Sequence, residues 1–274
     1  MEQAVSAPDR SSYAELLNIF TTISISAAQA ILRISGNRDA RTKTDGSPIT
    51  AADEAAEAVI QEGLQRCVPS LPVVSEESAE RGGPTGPAAN VIMVDPLDGT
   101  RDFIAGRDEY TVNIALISDG VPVVGVIAAP ALGTIWRGIA GRGAERMEFA
   151  AANDRPCAPI AIRSRRRPPP DEFTVIVSRS HLEERTQAYL QALPRAKRAA
   201  CGSSIKFCRV AEGSADLYPR LAPTHDWDIA AGHAILVAAG GNVTAPDGSQ
   251  VVYGTKELLV PAFLAWGDPV HAKG

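Results

Sequence analysis

The sequence of 274 residues predicts an α/β protein, and three observations support this class. From residue 13 to about residue 35 the apolar side chains recur at helical spacing. Two runs of strand character, 110–117 and 121–128, flank Asp119-Gly120, a pair typical of a tight hairpin turn. Beyond residue 172 strand and helix patterns alternate, which favours strands joined by crossover helices.

Shorter patterns predict the remaining elements. A helix begins after Thr50, an N-cap residue with Asp53 three positions later, in a variant of the capping box. Residues 73–77 read as a short strand that ends in carboxylates, and a glycine-rich turn at 81–86 leads to the strand 91–94. The other predicted elements are strand 133–139, strand 173–177, helix 181–193, a strand near Ala200, helix 204–212, strand 216–221 and helix 227–239.

Composition limits the classes of partner. The chain is 45% hydrophobic and 22% charged, which is typical of a globular protein, and with only 5% aromatic residues its core is expected to be built from small aliphatic side chains. The formal charge of −5 gives no basic footprint for nucleic acid. The basic, proline-rich run 163–170 is interpreted as a solvated linker in preference to a nucleic-acid or membrane patch.

Cysteine usage and hydropathy bear on location. The four cysteines form no C-x-x-C pair and are expected to be reduced, mostly buried thiols: Cys67, Cys157, Cys201 and Cys208. No apolar run of about 20 residues is expected to span a bilayer, and residues 1–10 lack a signal-peptide pattern. The expected location is the cytoplasm, with peripheral attachment to the inner membrane left open.

A carboxylate pair follows the predicted strand 91–94. Asp95 and Asp98 should lie at its carboxyl end, where α/β folds bind ligands. Gly99 and Thr100 then open a short helical segment whose free amides suit a phosphate group. Hard oxygen ligands of this kind favour magnesium. The same Asp-Pro-x-Asp-Gly pattern also fits an ordinary turn.

Other acidic residues are ambiguous one by one. Glu76-Glu77 could be a solvated surface pair, and Asp53 and Asp228 could simply be acids in the first turn of a helix. Four blocks remove much of this ambiguity, because they resemble, in order and spacing, the inositol monophosphatase-like, lithium-sensitive phosphatases. The blocks are Ser47–Asp53, Ser75–Ser78, Asp95–Thr100 and Trp227–Gly232.

The resemblance extends from about residue 13 to residue 266 and implies a mechanism. It implies that two or three magnesium ions are held by a set of oxygen ligands: Glu76, Asp95, the Leu97 carbonyl, Asp98 and Asp228. It also implies that Thr100, polarised by Asp53, orients the attacking water. Two metals can activate a water and neutralise the leaving oxygen of a phosphate ester.

The second half of the chain resembles the 3′(2′),5′-bisphosphate nucleotidase branch of that family. Inositol-specific relatives carry a neutral residue in place of Lys206 and a glutamate near Arg220, whereas two cations suit a second phosphate. The implied substrate contacts are Gly99, Thr100, His181, Ser203, Lys206, Arg220 and Asp228. Apart from the resemblance, Lys206 also fits an exposed helix charge and His181 a helix cap.

The implied fold is the layered α/β/α/β/α sandwich of the inositol monophosphatase and fructose-1,6-bisphosphatase type. An α+β half, 1–155, and an α/β half, 156–274, would enclose the site. The expected reaction converts adenosine 3′,5′-bisphosphate into AMP and phosphate, and hydrolysis of 3′-phosphoadenylyl sulfate is left open. An inositol or sugar monophosphatase and a catalytically silent metal- or nucleotide-binding regulator are the alternatives. The sequence predicts no oligomeric state.

Overall fold

The computed structural model describes residues 10–36, 38–43, 46–80, 89–150, 157–166, 168–169, 172–179 and 182–270. The helices within these ranges are α1 (Arg10–Ile34), α2 (Ala51–Cys67), α3 (Glu76–Glu80), α4 (Thr100–Ile104), α5 (Glu184–Gln191), α6 (Ile205–Ala211) and α7 (Asp226–Ala238). The strands are β1 (Ala40–Thr42), β2 (Pro48–Thr50), β3 (Val73–Ser75), β4 (Asn90–Asp98), β5 (Thr111–Ser118), β6 (Val121–Ala129), β7 (Thr134–Ile139), β8 (Gly143–Glu148), β9 (Ile160–Ile162), β10 (Thr174–Ser178), β11 (Lys197–Cys201), β12 (Leu217–Arg220), β13 (Thr224–His225), β14 (Asn242–Thr244), β15 (Leu259–Val260) and β16 (Phe263–Trp266).

Two large sheets organise the described residues. The seven-stranded sheet has the order β3-β4-β5-β6-β7-β8-β9 and is antiparallel except for the β3–β4 pair. The five-stranded sheet has the order β11-β10-β12-β16-β14, with parallel pairs around β10 and antiparallel pairs around β16. The crossover connections predicted for the second half therefore account for β10, β11 and β12, whereas the late strands β14 and β16 were not predicted.

Alternating side chains of β4 separate the layers. Ile92 and Val94 pack with α1 and α2, whereas Val91 and Met93 pack with α6 and α7. The inner face of the five-stranded sheet covers α6 and α7 from the other side, and Leu190 of α5 packs on its outer face. The order is helix, sheet, helix, sheet, helix, and the predicted layered sandwich is confirmed.

Helix α1 corrects one expectation. Residues Ser12–Ile34 are long and apolar enough to cross a membrane by length and composition, although no such run was predicted. Phe20, Ala27 and Ile31 of this helix are fully buried in the cluster that α1 forms with α2 and the seven-stranded sheet. Core packing is thus sufficient to explain the apolar character of this helix.

Two local predictions are confirmed in detail. The side chain of Thr50 accepts the Ala52 N–H at 3.1 Å, and Asp53 accepts the Thr50 N–H at 2.8 Å, which completes a capping box. Asp119 and Gly120 have φ angles of 49° and 75°. Positive φ at both central residues is what a tight hairpin between twisted strands requires.

Two other predictions are wrong. Glu76 and Glu77 open α3 and do not end a strand, because Ser75 Oγ accepts the Ser78 N–H at 3.1 Å and turns the chain. Strand β4 continues to Asp98 and does not end at residue 94, because β5 continues to pair with β4 across a register shift. The predicted turn at 81–86 and the half boundary at 155/156 lie outside the described residues.

The basic run is anchored where the structure describes it, at 163–166 and 168–169. Arg165 donates to both carboxylate oxygens of Asp216, at 2.9 and 2.6 Å, and Asp216 is buried next to the five-stranded sheet. The same guanidinium donates to the Glu172 carbonyl at 2.9 Å. This part of the run is therefore tied to the fold and is not a free linker.

The cysteines are free thiols, as predicted. Burial holds for two of them, Cys201 and Cys208, whereas Cys67 and Cys157 are exposed. Burial raises the pKa of Cys201 to about 11 and that of Cys208 well above its usual range. Neither buried thiol is therefore suited to act as a thiolate nucleophile.

Small residues let α7 approach the seven-stranded sheet closely, in agreement with the predicted core. A Cβ added to Gly125 of β6 would lie 2.4 Å from the Ala231 carbonyl oxygen and 3.0 Å from the Ala234 Cβ. Ala231 and Ala234 are both buried. Because α7 begins at Asp226, this close packing also fixes the position of Asp228 relative to the strands.

Gly125→Ala should therefore lower the free energy of unfolding by about 1–3 kcal/mol, since the added methyl group meets backbone that cannot yield. The sign of this change in the free energy of unfolding is informative, because replacing glycine by alanine in a strand interior otherwise stabilises the fold. Urea denaturation monitored by circular dichroism measures the change. Gly36→Ala is the matched control, as no atom lies within 4 Å of a Cβ added there. Equal stability of the two variants would contradict the packing argument.

Candidate active site

A cavity of about 330 Å³ lies where the N-termini of several helices meet the end of β4. Eight of the residues that the sequence singled out line it: Glu76, Asp98, Gly99, Thr100, Ser203, Lys206, Arg220 and Asp228. His181 lies outside the described residues. The cavity therefore brings together acidic side chains from both halves of the chain and the two predicted basic side chains of the second half.

The end of β4 carries two of the carboxylates. Asp95 is buried, and its Oδ1 accepts the Leu97 N–H at 3.0 Å. The register shift between Asp95 and Asp98 reshapes the strand before the chain turns at Gly99, whose φ is 93°. A side chain at this position would be strained, so glycine allows α4 to start immediately after Asp98.

Asp53 uses its two oxygens for two purposes. Its Oδ2 accepts the Thr50 N–H and hydroxyl at 2.8 and 2.6 Å, which caps α2. Its Oδ1 lies 3.1 Å from the Thr100 hydroxyl, which is also 3.1 Å from the Leu97 carbonyl oxygen. The capping and functional interpretations are therefore compatible, and Thr100 has the proximity to Asp53 that the predicted water-orienting role requires.

Glu76 and Asp228 occupy the first turns of two other helices. Lys43, whose side chain is only 5% exposed, places its Nζ 2.8 Å from Glu76 Oε1 and 2.7 Å from Glu77 Oε1. Asp228 accepts the His225 N–H at 3.1 Å and the Thr224 hydroxyl. Both carboxylates are thus neutralised or hydrogen-bonded by nearby protein groups.

Burial and crowded negative charge together raise the pKa values of three carboxyl groups, Glu76, Asp95 and Asp98. Burial raises the pKa of Glu76 to about 7, and Asp228 and Glu77 add to the effect while Lys43 opposes it. Burial, then Asp228, raises the pKa of Asp98 to about 6, against Lys206 and Arg220. Burial also raises the pKa of Asp95 well above its usual range, and Glu76, Asp98, Asp228 and Asp53 contribute further. One electrostatic environment is therefore shared by five carboxylates: Asp53, Glu76, Asp95, Asp98 and Asp228.

This donor set fits a hard divalent cation. The proposed ligands all offer oxygen, and a cation would relieve the repulsion that adds to burial in raising the pKa values of Glu76, Asp95 and Asp98. Within the part of the chain that the structure describes, no three acidic, histidine or cysteine side chains are close enough to hold an ion as they stand. Glu76 would have to exchange Lys43 for the ion, and Asp228 would have to exchange Thr224. The metal-ligand assignments remain predictions.

Two basic side chains that the sequence singled out line the same cavity. Lys206 is buried, donates to the Ser203 carbonyl and has its Nζ 5.2 Å from the centre of the Tyr218 ring. Arg220 donates to the Pro223 carbonyl at 3.3 Å. The interpretation of Lys206 as an exposed helix charge is wrong, because the ammonium group is enclosed between α6 and β12.

Sequence reasoning missed a polar contact behind the cavity. The Ser204 hydroxyl lies 2.8 Å from the Thr111 hydroxyl and 2.7 Å from Asn113 Oδ1. Thr111 and Asn113 pair with Asp98 and Asp95 across β4 and β5. The polar–apolar alternation at 111–114 was the signal that could have identified them, since it places both side chains on one face.

A family comparison agrees with this geometry. The family model described as the inositol monophosphatase family matches residues 12–272. The chain belongs to the inositol monophosphatase family. Members of this family are metal-dependent phosphatases.

Individual relatives are similar over most of the chain. The 3′(2′),5′-bisphosphate nucleotidase CysQ of Salmonella typhimurium is 44% identical over 222 residues, which cover 81% of this chain and 86% of the relative. The crystal structure of CysQ from Bacteroides thetaiotaomicron is 35% identical, with a TM-score of 0.77 over 91% of this chain and 96% of that one. An inositol monophosphatase from Anabaena is 27% identical, with a TM-score of 0.73 over 95% and 94%.

Thr100→Val should lower kcat by roughly 10²–10³-fold, the cost typical of losing one positioned hydrogen-bonding group. Valine keeps the shape of threonine and removes only the hydroxyl that faces Asp53. Steady-state phosphate release measures the effect, and Thr100→Ser, which retains the hydroxyl, is the control. Wild-type kcat in the valine variant would show that Thr100 does not orient the reacting water.

Asp98→Asn should stabilise the metal-free protein progressively as the pH rises. Burial raises the pKa of Asp98 to about 6 in the folded protein, against an ordinary 3.8. The protonated carboxyl therefore contributes stability that is fully present below pH 3.8 and is lost as the pH rises through 6. The difference in Tm between the variant and the wild type should therefore widen across this window. Saturating Mg²⁺ should reverse its sign, because asparagine removes a ligand charge.

Exposed Asp247 provides the control for this titration, because hydrogen bonds from Ser249 lower its pKa. Asp247→Asn should show the opposite trend and lose stability relative to the wild type as the pH rises, because the fold stabilises the ionised form of Asp247. Scanning calorimetry from pH 3 to pH 8 with chelator and with Mg²⁺ measures all three proteins. A constant difference for Asp98→Asn would mean that its carboxylate is not held in the crowded environment described above.

Proposed function

We propose that this chain is a magnesium-dependent 3′(2′),5′-bisphosphate nucleotidase that converts adenosine 3′,5′-bisphosphate into AMP and phosphate. One observation carries the proposal: Lys206 and Arg220 line the same cavity as Glu76, Asp98 and Asp228. A cavity lined both by carboxylates and by these two cations suits a substrate with one phosphate at a metal site and a second phosphate beyond it. The Salmonella relative named above carries the same activity in its name.

The reacting phosphate would lie between the carboxylates and the start of α4. When bound, divalent metal would activate a water and neutralise the charge that develops on the leaving oxygen. Thr100 can donate its proton to Asp53, so its lone pairs are free to accept a hydrogen bond from the attacking water. Water oxygen then bonds to phosphorus, the bond from phosphorus to the 3′-oxygen breaks, and that oxygen takes up a proton.

The ligands proposed for the metal are Glu76, Asp95, the Leu97 carbonyl, Asp98 and Asp228, with two or three ions per site. The amides that follow Gly99 would contact the reacting phosphoryl oxygens. Ser203, Lys206 and Arg220 would hold the non-reacting phosphate, and His181 belongs to the same proposed subsite. A cytoplasmic location is part of the proposal, in keeping with the free cysteines.

Two observations argue against the alternatives, the buried Lys206 and the contact between Thr100 and Asp53. An inositol or sugar monophosphatase would have no second phosphate to justify enclosing Lys206, whose desolvated ammonium is otherwise costly. A catalytically silent regulator could tolerate the loss of Thr100 or Asp53, yet their hydroxyl–carboxylate contact of 3.1 Å is present. Phosphate release from a substrate panel, with and without Mg²⁺, separates the three functions.

Lys206→Met should reduce kcat/KM for adenosine 3′,5′-bisphosphate by roughly ten- to hundred-fold, the cost of one lost charge-assisted contact. Methionine preserves most of the buried volume and removes the charge. Adenosine 3′-monophosphate retains the same reacting phosphate and lacks the 5′-phosphate, so its kcat/KM should change far less. Coupled phosphate-release kinetics on both nucleotides and on inositol 1-phosphate give the ratios.

The ratio between the two nucleotides is the decisive quantity. Equal losses for both would mean that Lys206 supports the fold or the metal ligands, and the proposal would revert to a general sugar phosphatase. A wild-type preference for inositol 1-phosphate over the bisphosphate would overturn the proposed substrate directly. Thermal unfolding of each variant controls for global destabilisation.

A further inference from the structure

The turn after Asp98 and the loop that carries Ser203 are in direct contact, and both segments pack against Glu109. A Cβ added to Gly99 would lie 3.1 Å from the Glu109 carbonyl oxygen and 3.4 Å from the Ser203 Cβ. A Cβ added to Gly202 would lie 2.8 Å from the same carbonyl oxygen and 2.5 Å from Asp102 Oδ2. Glycine at both positions allows these two segments to pack with no side chain between them.

The Glu109 carboxylate makes polar contacts with Arg179, Gly202 and the Cys201 side chain across this junction. It pairs with both terminal nitrogens of Arg179, with 2.9 Å between Oε1 and Nη2 and a second contact between Oε2 and Nη1. Its Oε2 also accepts the Gly202 N–H at 2.6 Å. A two-point contact of this kind fixes the relative orientation of the two groups as well as their separation.

Arg179 connects this carboxylate to the five-stranded sheet. It directly follows β10, and its N–H donates to the Cys201 carbonyl at 3.2 Å. Its guanidinium also donates to the Ala200 carbonyl at 3.4 Å. The pair therefore joins the ends of β10 and β11 to Glu109, which lies two residues before β5, and Thr111 of β5 is paired with Asp98.

The loop held in this way is strained and enclosed. Ser203 has a φ of 46°, a left-handed conformation that non-glycine residues adopt only when their surroundings impose it. The Ser203 carbonyl accepts the ammonium proton of buried Lys206. A shift of Gly202 would therefore move both of these proposed substrate contacts.

We infer that Glu109 and Arg179 are positioning residues that hold loop 202–204 at the distance from turn 98–100 that a bisphosphate requires. The inference rests on the proposed function, and neither residue needs to contact the substrate. The Arg179 side chain is 34% exposed and the Glu109 side chain 25% exposed, and partly exposed ion pairs add little to global stability. Loss of the pair should thus appear in substrate binding and not in Tm.

Kinetics on the full chain with Mg²⁺ test the inference through Arg179→Gln, Glu109→Gln and the double variant. KM for adenosine 3′,5′-bisphosphate should rise by about ten-fold, while kcat stays within about two-fold because Thr100 and Asp53 lie on other elements. The double variant should be no worse than the more impaired single one, since both remove the same contact. Arg66→Gln, which breaks an exposed pair with Glu62 on α2, is the matched control and should leave KM unchanged.

Hydrogen exchange gives a readout that does not depend on turnover. Amide exchange in a peptide spanning 198–208 should be faster in both single variants than in wild type and in Arg66→Gln. In Glu109→Gln the Gly202 N–H exchanges a charged acceptor for a weaker neutral one, and in Arg179→Gln the acceptor loses its ion-pair partner. Unchanged exchange overturns the tether, and faster exchange with unchanged KM overturns the positioning role. A parallel fall in kcat and Tm means a general structural role and also overturns it. If wild type fails on the bisphosphate, the proposed function fails, while exchange still decides the tether.

Discussion

Repulsion among carboxylates is the constraint on which the site depends. Burial raises the pKa values of Glu76, Asp95 and Asp98, and the negative charges of this cluster, that of Asp228 among them, raise them further. The fold tolerates this cluster because each group has some local compensation. Lys43 pairs with Glu76, the Leu97 amide faces Asp95, and the Thr224 hydroxyl faces Asp228. A divalent cation would offset the negative charge of these carboxylates more strongly than their separate hydrogen bonds and ion pair do.

The layered architecture gathers this charge by bringing element ends together. Asp53 belongs to the outer helical layer, Asp98 to the seven-stranded sheet and Asp228 to the central helical layer. Each lies in the first turn of a helix or immediately before one, where free amides and the helix dipole favour negative charge. The close approach of α7 to β6, which Gly125 permits, is therefore a requirement of the site as well as of the core.

Local chemistry explains which features the sequence could predict. The Thr50–Asp53 box and the Asp119-Gly120 turn depend on neighbouring residues alone, so both were predictable. The continuation of β4 to Asp98 depends on pairing with β5, and Asp-Pro-x-Asp-Gly taken alone is typical of a turn. Glu109 and Arg179 carry no local signal, because their contact joins residues 70 positions apart. The resemblance supplied the proposed ligand set, whereas only the structure shows which contacts hold those side chains in place.

Substrate choice and metal affinity are physically linked in this cavity. Lys206 and Arg220 both lower the pKa of Asp98, so the cations that would bind a second phosphate also favour the ionised form of a proposed metal ligand. Removing one of them should change metal binding alike for every substrate and weaken phosphate recognition only for a bisphosphate. A ratio of substrates on one variant cancels the shared contribution, because both nucleotides use the same metal site. Selectivity therefore isolates the recognition of the second phosphate, which a loss of activity alone would not do.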